Sequence, residues 1–473
     1  MVSNFLVETI AQSSSNASVL ISIFQACLID ESNIFRVAIA AIRSLSVLLV
    51  NLPQESDFEP FYCLTEVILQ GLQATVRFMV ADSTNVAAIA FTESLIDIAE
   101  NTLFFTMQFG LVFEVVMNIM EQAAIVPALR HMLVEFLVCI CVSSAKRARK
   151  LKSATGEKGY FASRFIPFCV RMMVTVTHDD PSWETVDTLE ENADDGSTDF
   201  DVGEAALDRV THCLGLRSTF PIMTTQLHLL LSSSAWQYHF AGLRSIATYL
   251  EVSAQIPEKA QLHHHREEIS NIIMLYASNV HVRVRSAAFY AATQFFVMHG
   301  KTLKVGVIDK MLPMLLQSAS ISINPSPRVR RSAMLALVHL IDRAPASAIE
   351  KHTRSILDTI VTSLSEGSVL VQEQCVQGIV SVTENLSSDC IRPYYDSLMP
   401  ILKQLLTYAQ SHELESLWGQ GLECCARLGE VSGKVKFYPD ALEMMGTLVQ
   451  VQTQLAESSD VRKYVMKAWV RIA

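Results

Sequence analysis

The stretch from His178 to Asp208, HDDPSWETVDTLEENADDGSTDFDVGEAALD, holds twelve Asp or Glu and no Lys or Arg. The whole 473-residue chain has a formal net charge of −11, so the other 442 residues sit near neutrality. Carboxylates gathered without counter-charge repel one another, and that repulsion is relieved when a basic surface arrives. The chemistry on offer is charge recognition. A free loop of this kind is expected to be mobile and extended.

Other clusters carry weaker signals. His263, His264 and His265 stand together without spaced carboxylate or Cys partners, so they read as a solvated loop rather than a metal site. The run KRARKLK, Lys146 to Lys152, follows a helix expected to end near Ser144. Cations there suit the helix dipole. The run also resembles a nuclear-localisation or nucleic-acid patch, although a pI near 5.7 favours the structural reading. The ten cysteines are scattered. Cys139 and Cys141 are two apart, Cys424 and Cys425 adjacent, and neither spacing is a CxxC knuckle. They read as reduced core thiols. RLGEVSGKVKF (Arg427 to Phe437) lacks the phosphate-loop spacing, and no nucleophile elbow or zinc motif is present. The expectation is therefore no catalytic residues, no metal, no cofactor and no enzyme.

The elements that position these residues are helical. NIFRVAIAAIRSLSVLLVN, TNVAAIAFTESLIDIAEN and VPALRHMLVEFLVCICVSSA show apolar residues at three-and-four spacing, with short Ser, Asn, Asp and Pro punctuation between helices. No convincing run of alternating strands occurs, and no stretch of eighteen residues is uniformly apolar. The N-terminus has no basic region followed by an apolar core, so no secretory signal is read. A single core stops growing near roughly 250–300 residues, so a chain of this length forms several domains or a repeat array.

Repetition decides between them. Ala241, Ala287, Ala333, Cys375 and Gly421 align at steps of 46, 46, 42 and 46. Internal prolines recur in FIPFCV (Pro167), TFPIMT (Pro221), MLPMLL (Pro313) and LMPILK (Pro400). With the turns NVHVRVR and SPRVRR, this period marks HEAT-type helical hairpins. The fold class expected is all-α, a HEAT-repeat α-α superhelix or solenoid. Residues 1–177 are read as about four hairpins, the first incomplete; 178–200 as the acidic insert; 201–473 as about six hairpins, the last incomplete.

Nine positions beyond the repeated small residue lie Asp342, Glu384 and Glu430. Nine residues at 100° each turn half a revolution past two, so these acids face away from the packed small residue. They stand near helix C-termini, where a carboxylate is mildly unfavourable. They are read as a solvent-facing acidic ladder for a Lys- and Arg-rich partner, against the alternative of chance acids on a solvated face.

The acidic loop with its Trp, running into DVGEAALDRV, and downstream AWQYHFAGL, RPYYDSLMPILKQLL and GLECCARLGEVSGKVKF, resemble the middle of an importin-β superfamily nuclear import receptor of the importin-five or karyopherin beta-three type. The likeness is good from about Trp183 onward and one of pattern and order before Lys150. It implies a carrier shuttling between cytoplasm and nucleus through the nuclear pore, with cargo release controlled by Ran-GTP. The partners implied are the Ran GTPase, basic cargo bearing nuclear-localisation signals, and nucleoporins. No small-molecule substrate, membrane insertion or direct nucleic-acid contact is expected. Family members are roughly twice as long, so the chain is expected to be a central piece lacking the first, Ran- and nucleoporin-binding repeats. Carried over to this sequence, the family's role assigns Asp179, Asp180, Glu184, Asp187, Glu190, Glu191, Asp194 and Asp195 to a basic patch on Ran or cargo. Trp183 is the anchor, since an aromatic side chain gives contact area at small entropic cost. A HEAT scaffold of a stable complex is the alternative reading.

Overall fold

The computed structural model describes residues 14–29, 36–52, 55–81, 86–176, 182–185, 198–255, 260–365, 368–452 and 461–472. Among them the only β feature is an isolated antiparallel bridge between Lys152 and Lys158; everything regular is helical. None of these helices is long and apolar enough to cross a membrane. The chain divides into two compact units, residues 1–176 with 194–232, and residues 177–193 with 233–473.

In the first unit, helical hairpins form from Ser14–Ile29 with Arg36–Val50, Leu64–Ala81 with Val86–Asn101, Phe109–Met120 with Pro127–Ser143, and Tyr160–Val174 with Asp199–Leu214. The second helices of successive hairpins pack on one another in order, which makes one layer. First helices make the other, with Leu216–Leu231 packed on Tyr160–Val174. Aromatic residues join neighbouring elements. Phe113, Phe161 and Phe165 are fully buried, with centroids 5.0 and 5.1 Å apart along the row, and Phe105 meets Phe136 edge-on at 5.1 Å. Such pairs add about 0.5–1.5 kcal/mol beyond the area they bury.

The second unit repeats the plan with Trp236–Gln255, Val282–His299, Pro327–Arg343, Val369–Asn385, Glu415–Ser432 and Val461–Ile472 as the successive second helices. The aligned small residues all fall in this layer and are buried, Ala241, Ala333 and Cys375 completely. Gly421 packs on the first helix of its hairpin, where a Cβ would lie 2.9 Å from Leu406 Cδ2, and Gly378, three residues beyond Cys375, does the same, 3.2 Å from Ile360 Cδ1. At these two points the helices of a hairpin approach closely.

Pro167, Pro221, Pro313 and Pro400 lie inside first helices, as does Pro439, which the sequence pattern had not drawn out. All but the half-buried Pro167 are exposed. A proline removes one N–H and frees a carbonyl one turn back. On a solvent face that carbonyl is hydrated, and the helix bends.

The basic run forms the short helix Ala145–Lys150. Arg149 donates from Nε to the Leu214 carbonyl at 3.0 Å and from Nη2 to the Cys213 carbonyl at 2.8 Å. Arg147 donates to Thr106 Oγ1. Arg149 thus satisfies C-terminal carbonyls of the Asp199–Leu214 helix, a structural use for part of the run.

Candidate partner-binding surfaces

The helices flanking the acidic insert, Tyr160–Val174 and Asp199–Leu214, pack on each other as one hairpin, so the insert interrupts a repeat. Gly203 allows the contact: a Cβ there would stand 2.7 Å from the Cys169 carbonyl oxygen and 3.0 Å from Met172 Cβ. The second helix begins at Asp199, two residues before the boundary read at 201. Thr198 is its N-cap, accepting at Oγ1 from the Asp201 amide at 3.2 Å and donating to the Asp201 carboxylate. Asp199 is fixed by Arg130 at 2.8 Å and His131 at 2.6 Å. The hydrogen bond with His131 and the Arg130 charge outweigh burial and hold its carboxyl below the usual range. Of the acids in the stretch, Asp199 and Asp201 thus serve the helix start and are not available to a partner.

Asp179, Asp180, Asp187, Glu190, Glu191, Asp194 and Asp195 lie outside the described residues. Trp183 and Glu184 are described, in the helical turn Ser182–Thr185. At these residues the insert is a helical turn rather than extended. Two cations hold its Trp: Arg283 and Arg328 carry guanidinium carbons 5.1 and 5.0 Å from the Trp183 ring centroid. Glu184 is exposed. Burial lowers the Arg285 pKa from its ordinary value, and the Glu184 charge opposes that shift. Trp183 is half-buried against its own chain. The arginines were visible in VRVR and SPRVRR as turn signatures; their role opposite Trp183 was not.

The acidic ladder residues Asp342, Glu384 and Glu430 are all exposed, each within the last turn of its helix. Each meets the following repeat. Asn385 Nδ2 donates to Asp342 Oδ1 at 3.2 Å. Arg427 pairs with Glu384 and, at 3.2 Å, with Glu430. Arg471 Nε lies 3.4 Å from Glu430 and its Nη1 3.3 Å from Glu423. Arg427, Glu430, Met466, Lys467, Val470 and Arg471 line a surface cavity of about 470 Å³. The ladder is therefore part-neutralised by arginines that the nine-residue spacing rule did not point to.

The three adjacent histidines point apart. His263 meets His299 edge-on at 4.8 Å, and His265 Nδ1 lies 3.0 Å from Glu268. Burial, then the neighbouring His263 and Arg266, lowers the His299 pKa to about 4. Among the described residues no group of three or more His, Cys, Asp or Glu is placed to hold a metal ion. The ten cysteines are free thiols, six of them buried.

Residues 122–221 match the importin repeat family. Importin subunit beta-3 of Saccharomyces cerevisiae is 24% identical over 455 residues, which is 96% of this chain and 40% of that protein. The crystal structure of Kap121p bound to Nup53p superposes with a TM-score of 0.80 at 23% identity, covering 98% of this chain and 42% of the other. Kap121p bound to RanGTP gives a TM-score of 0.73 at 22% identity, covering 100% of this chain and 45% of the other. The chain thus spans about two-fifths of the length of these relatives. Its fold is that of their HEAT-repeat solenoids, and within it residues 122–221 carry the likeness to the importin repeat.

Proposed function

We propose that the chain acts in nuclear transport, as a karyopherin-type receptor that carries basic protein cargo through the nuclear pore and releases it to Ran-GTP. The observation that carries this reading is the likeness to importin subunit beta-3 along 96% of the chain. The Kap121p crystal structures, bound in one case to Nup53p and in another to RanGTP, support the same classes of partner: nucleoporin, Ran and cargo. The reading assigns no reaction to the chain and places it in both cytoplasm and nucleus.

The acidic insert is the surface offered to a basic patch on Ran or cargo, through Asp179, Asp180, Glu184, Asp187, Glu190, Glu191, Asp194 and Asp195. Asp342, Glu384 and Glu430 are the second such surface, for Lys- and Arg-rich cargo. The insert divides the chain into repeats before and after it, 1–177 and 201–473. The test is retention of Ran on the immobilised chain, with Ran loaded with GTP or with GDP. Preferential retention of the GTP form is expected, and replacing residues 179–197 by a short Gly/Ser bridge weakens it most at low salt. Equal retention of both forms, unchanged by that replacement, would remove the insert from the Ran-binding surface.

A further inference from the structure

Trp183 fills a slot built by two consecutive repeats. Arg283 is the second residue of Val282–His299, and Arg328 the second residue of Pro327–Arg343. They are 45 positions apart in sequence and stand at one register. A cation in the first turn faces the positive end of the helix dipole, which is unfavourable. Here the first turns also hold Arg285 and Arg330, and neither has an acid. Repeated in adjacent repeats, that arrangement gathers positive potential where a carboxylate is stabilised. The guanidinium faces add a preference for a flat aromatic ring.

The turn Ser182–Thr185 answers both demands, with both guanidinium groups over the Trp183 ring and the Glu184 charge acting on Arg285. The turn is only four residues long, and Glu184 and Thr185 are exposed. So small a contact is held in place largely because it is tethered: a cis segment competes at an effective concentration of millimolar order.

We infer that the Arg283–Arg328 slot is an exchangeable receptor for an acidic segment with a central tryptophan, filled in cis by Trp183 and Glu184 and taken in trans by a partner segment of the same chemistry. The slot recognises an acidic partner, whereas the insert is offered to a basic one, so the two surfaces are distinct. They are also linked. A basic partner that draws the acids of the insert away vacates the slot, and a slot ligand releases the insert.

The test uses a labelled peptide with the sequence of residues 178–200, and the same peptide with Ala in place of Trp. Both are titrated by fluorescence anisotropy onto the full chain, its Trp183→Ala variant, and a variant combining Trp183→Ala with Arg283→Ala and Arg328→Ala. Trp183→Ala is expected to bind the Trp peptide at least about tenfold more tightly than the unaltered chain, because the tethered competitor is gone. The Ala peptide binds about tenfold more weakly, and the triple variant loses the difference between the peptides. Equal binding of the two peptides by Trp183→Ala would reduce the site to general charge attraction and overturn the proposal. Equal affinity of Trp183→Ala and the unaltered chain would overturn it too. An independent readout needs no variant: saturating Trp peptide should speed hydrogen exchange at residues 182–185 of the unaltered chain, and unchanged exchange rejects an exchangeable slot.

Discussion

His131 Nε2 lies 2.6 Å from Asp199 Oδ1, and that contact fixes the first turn of the helix on which the chain resumes its repeats. Both side chains are largely buried, and Arg130 occupies the second carboxylate oxygen. Truncating one member leaves the others desolvated without a partner. Asp199→Ala is expected to cost about 2 kcal/mol at neutral pH, measured by urea denaturation of the first unit's signal. The sign with pH follows from the depressed carboxyl. Its stabilisation is present above the unfolded value of about 3.9 and is lost as pH falls through the lower folded value. Unaltered chain and variant should therefore converge in stability below about pH 4. A constant gap across that range would mean the cost is steric.

Gly203→Ala tests the hairpin that the insert interrupts. The added methyl would meet the Cys169 carbonyl at 2.7 Å, a backbone atom that cannot swing aside. A loss of about 1–3 kcal/mol is expected in spite of Ala's better helix propensity. Thermal unfolding by circular dichroism checks it, and a gain in stability would show that the two helices separate readily.

Arg149→Ala removes both donors to the last carbonyls of the same helix. The expected cost is about 1–2 kcal/mol. Arg149→Lys should recover only part of it, since one ammonium does not reproduce the forked guanidinium that spans the Cys213 and Leu214 carbonyls. Full recovery by Lys, in the same denaturation experiment, would reduce the role to charge at a helix end.

The sequence made local and periodic features legible. Helices, the repeat step and the bending prolines all follow from patterns within one hairpin, and Ala241, Ala287, Ala333, Cys375 and Gly421 are buried as the period required. Pairings between repeats were not legible. Arg283 and Arg328 lie at least 100 residues from Trp183, and no local pattern links an arginine in a turn signature to a distant indole. Asp199 and Asp201 were counted in the charge excess because a tally cannot tell a capping or ion-paired carboxylate from one free to meet a partner. Half-turn arithmetic put the ladder acids on the exposed side of their helices. It was silent on Arg427 and Arg471, which come from the next helices along.

Those arginines give the ladder a sharper test than removing its acids. Replacing Asp342, Glu384 and Glu430 by Ser would weaken any basic ligand, but it also strips Arg427 of both its carboxylates and Arg471 of one of two. Arg427→Ala does the reverse. It frees Glu384 and leaves Glu430 with Arg471 alone, and because both carboxylates are about half exposed, at 42% and 50%, the lost pairs cost stability no more than about 1 kcal/mol. If the ladder receives Lys- and Arg-rich cargo, the arginine competes with that cargo for the same oxygens. Arg427→Ala should then bind a basic nuclear-localisation peptide about two- to fivefold more tightly at low salt, with the gain shrinking as ionic strength rises and the Debye length falls to about 8 Å near 0.15 M. Titration calorimetry at two salt concentrations reads both effects. Unchanged affinity would remove these acids from the cargo surface, and weaker binding would make Arg427 itself a contact.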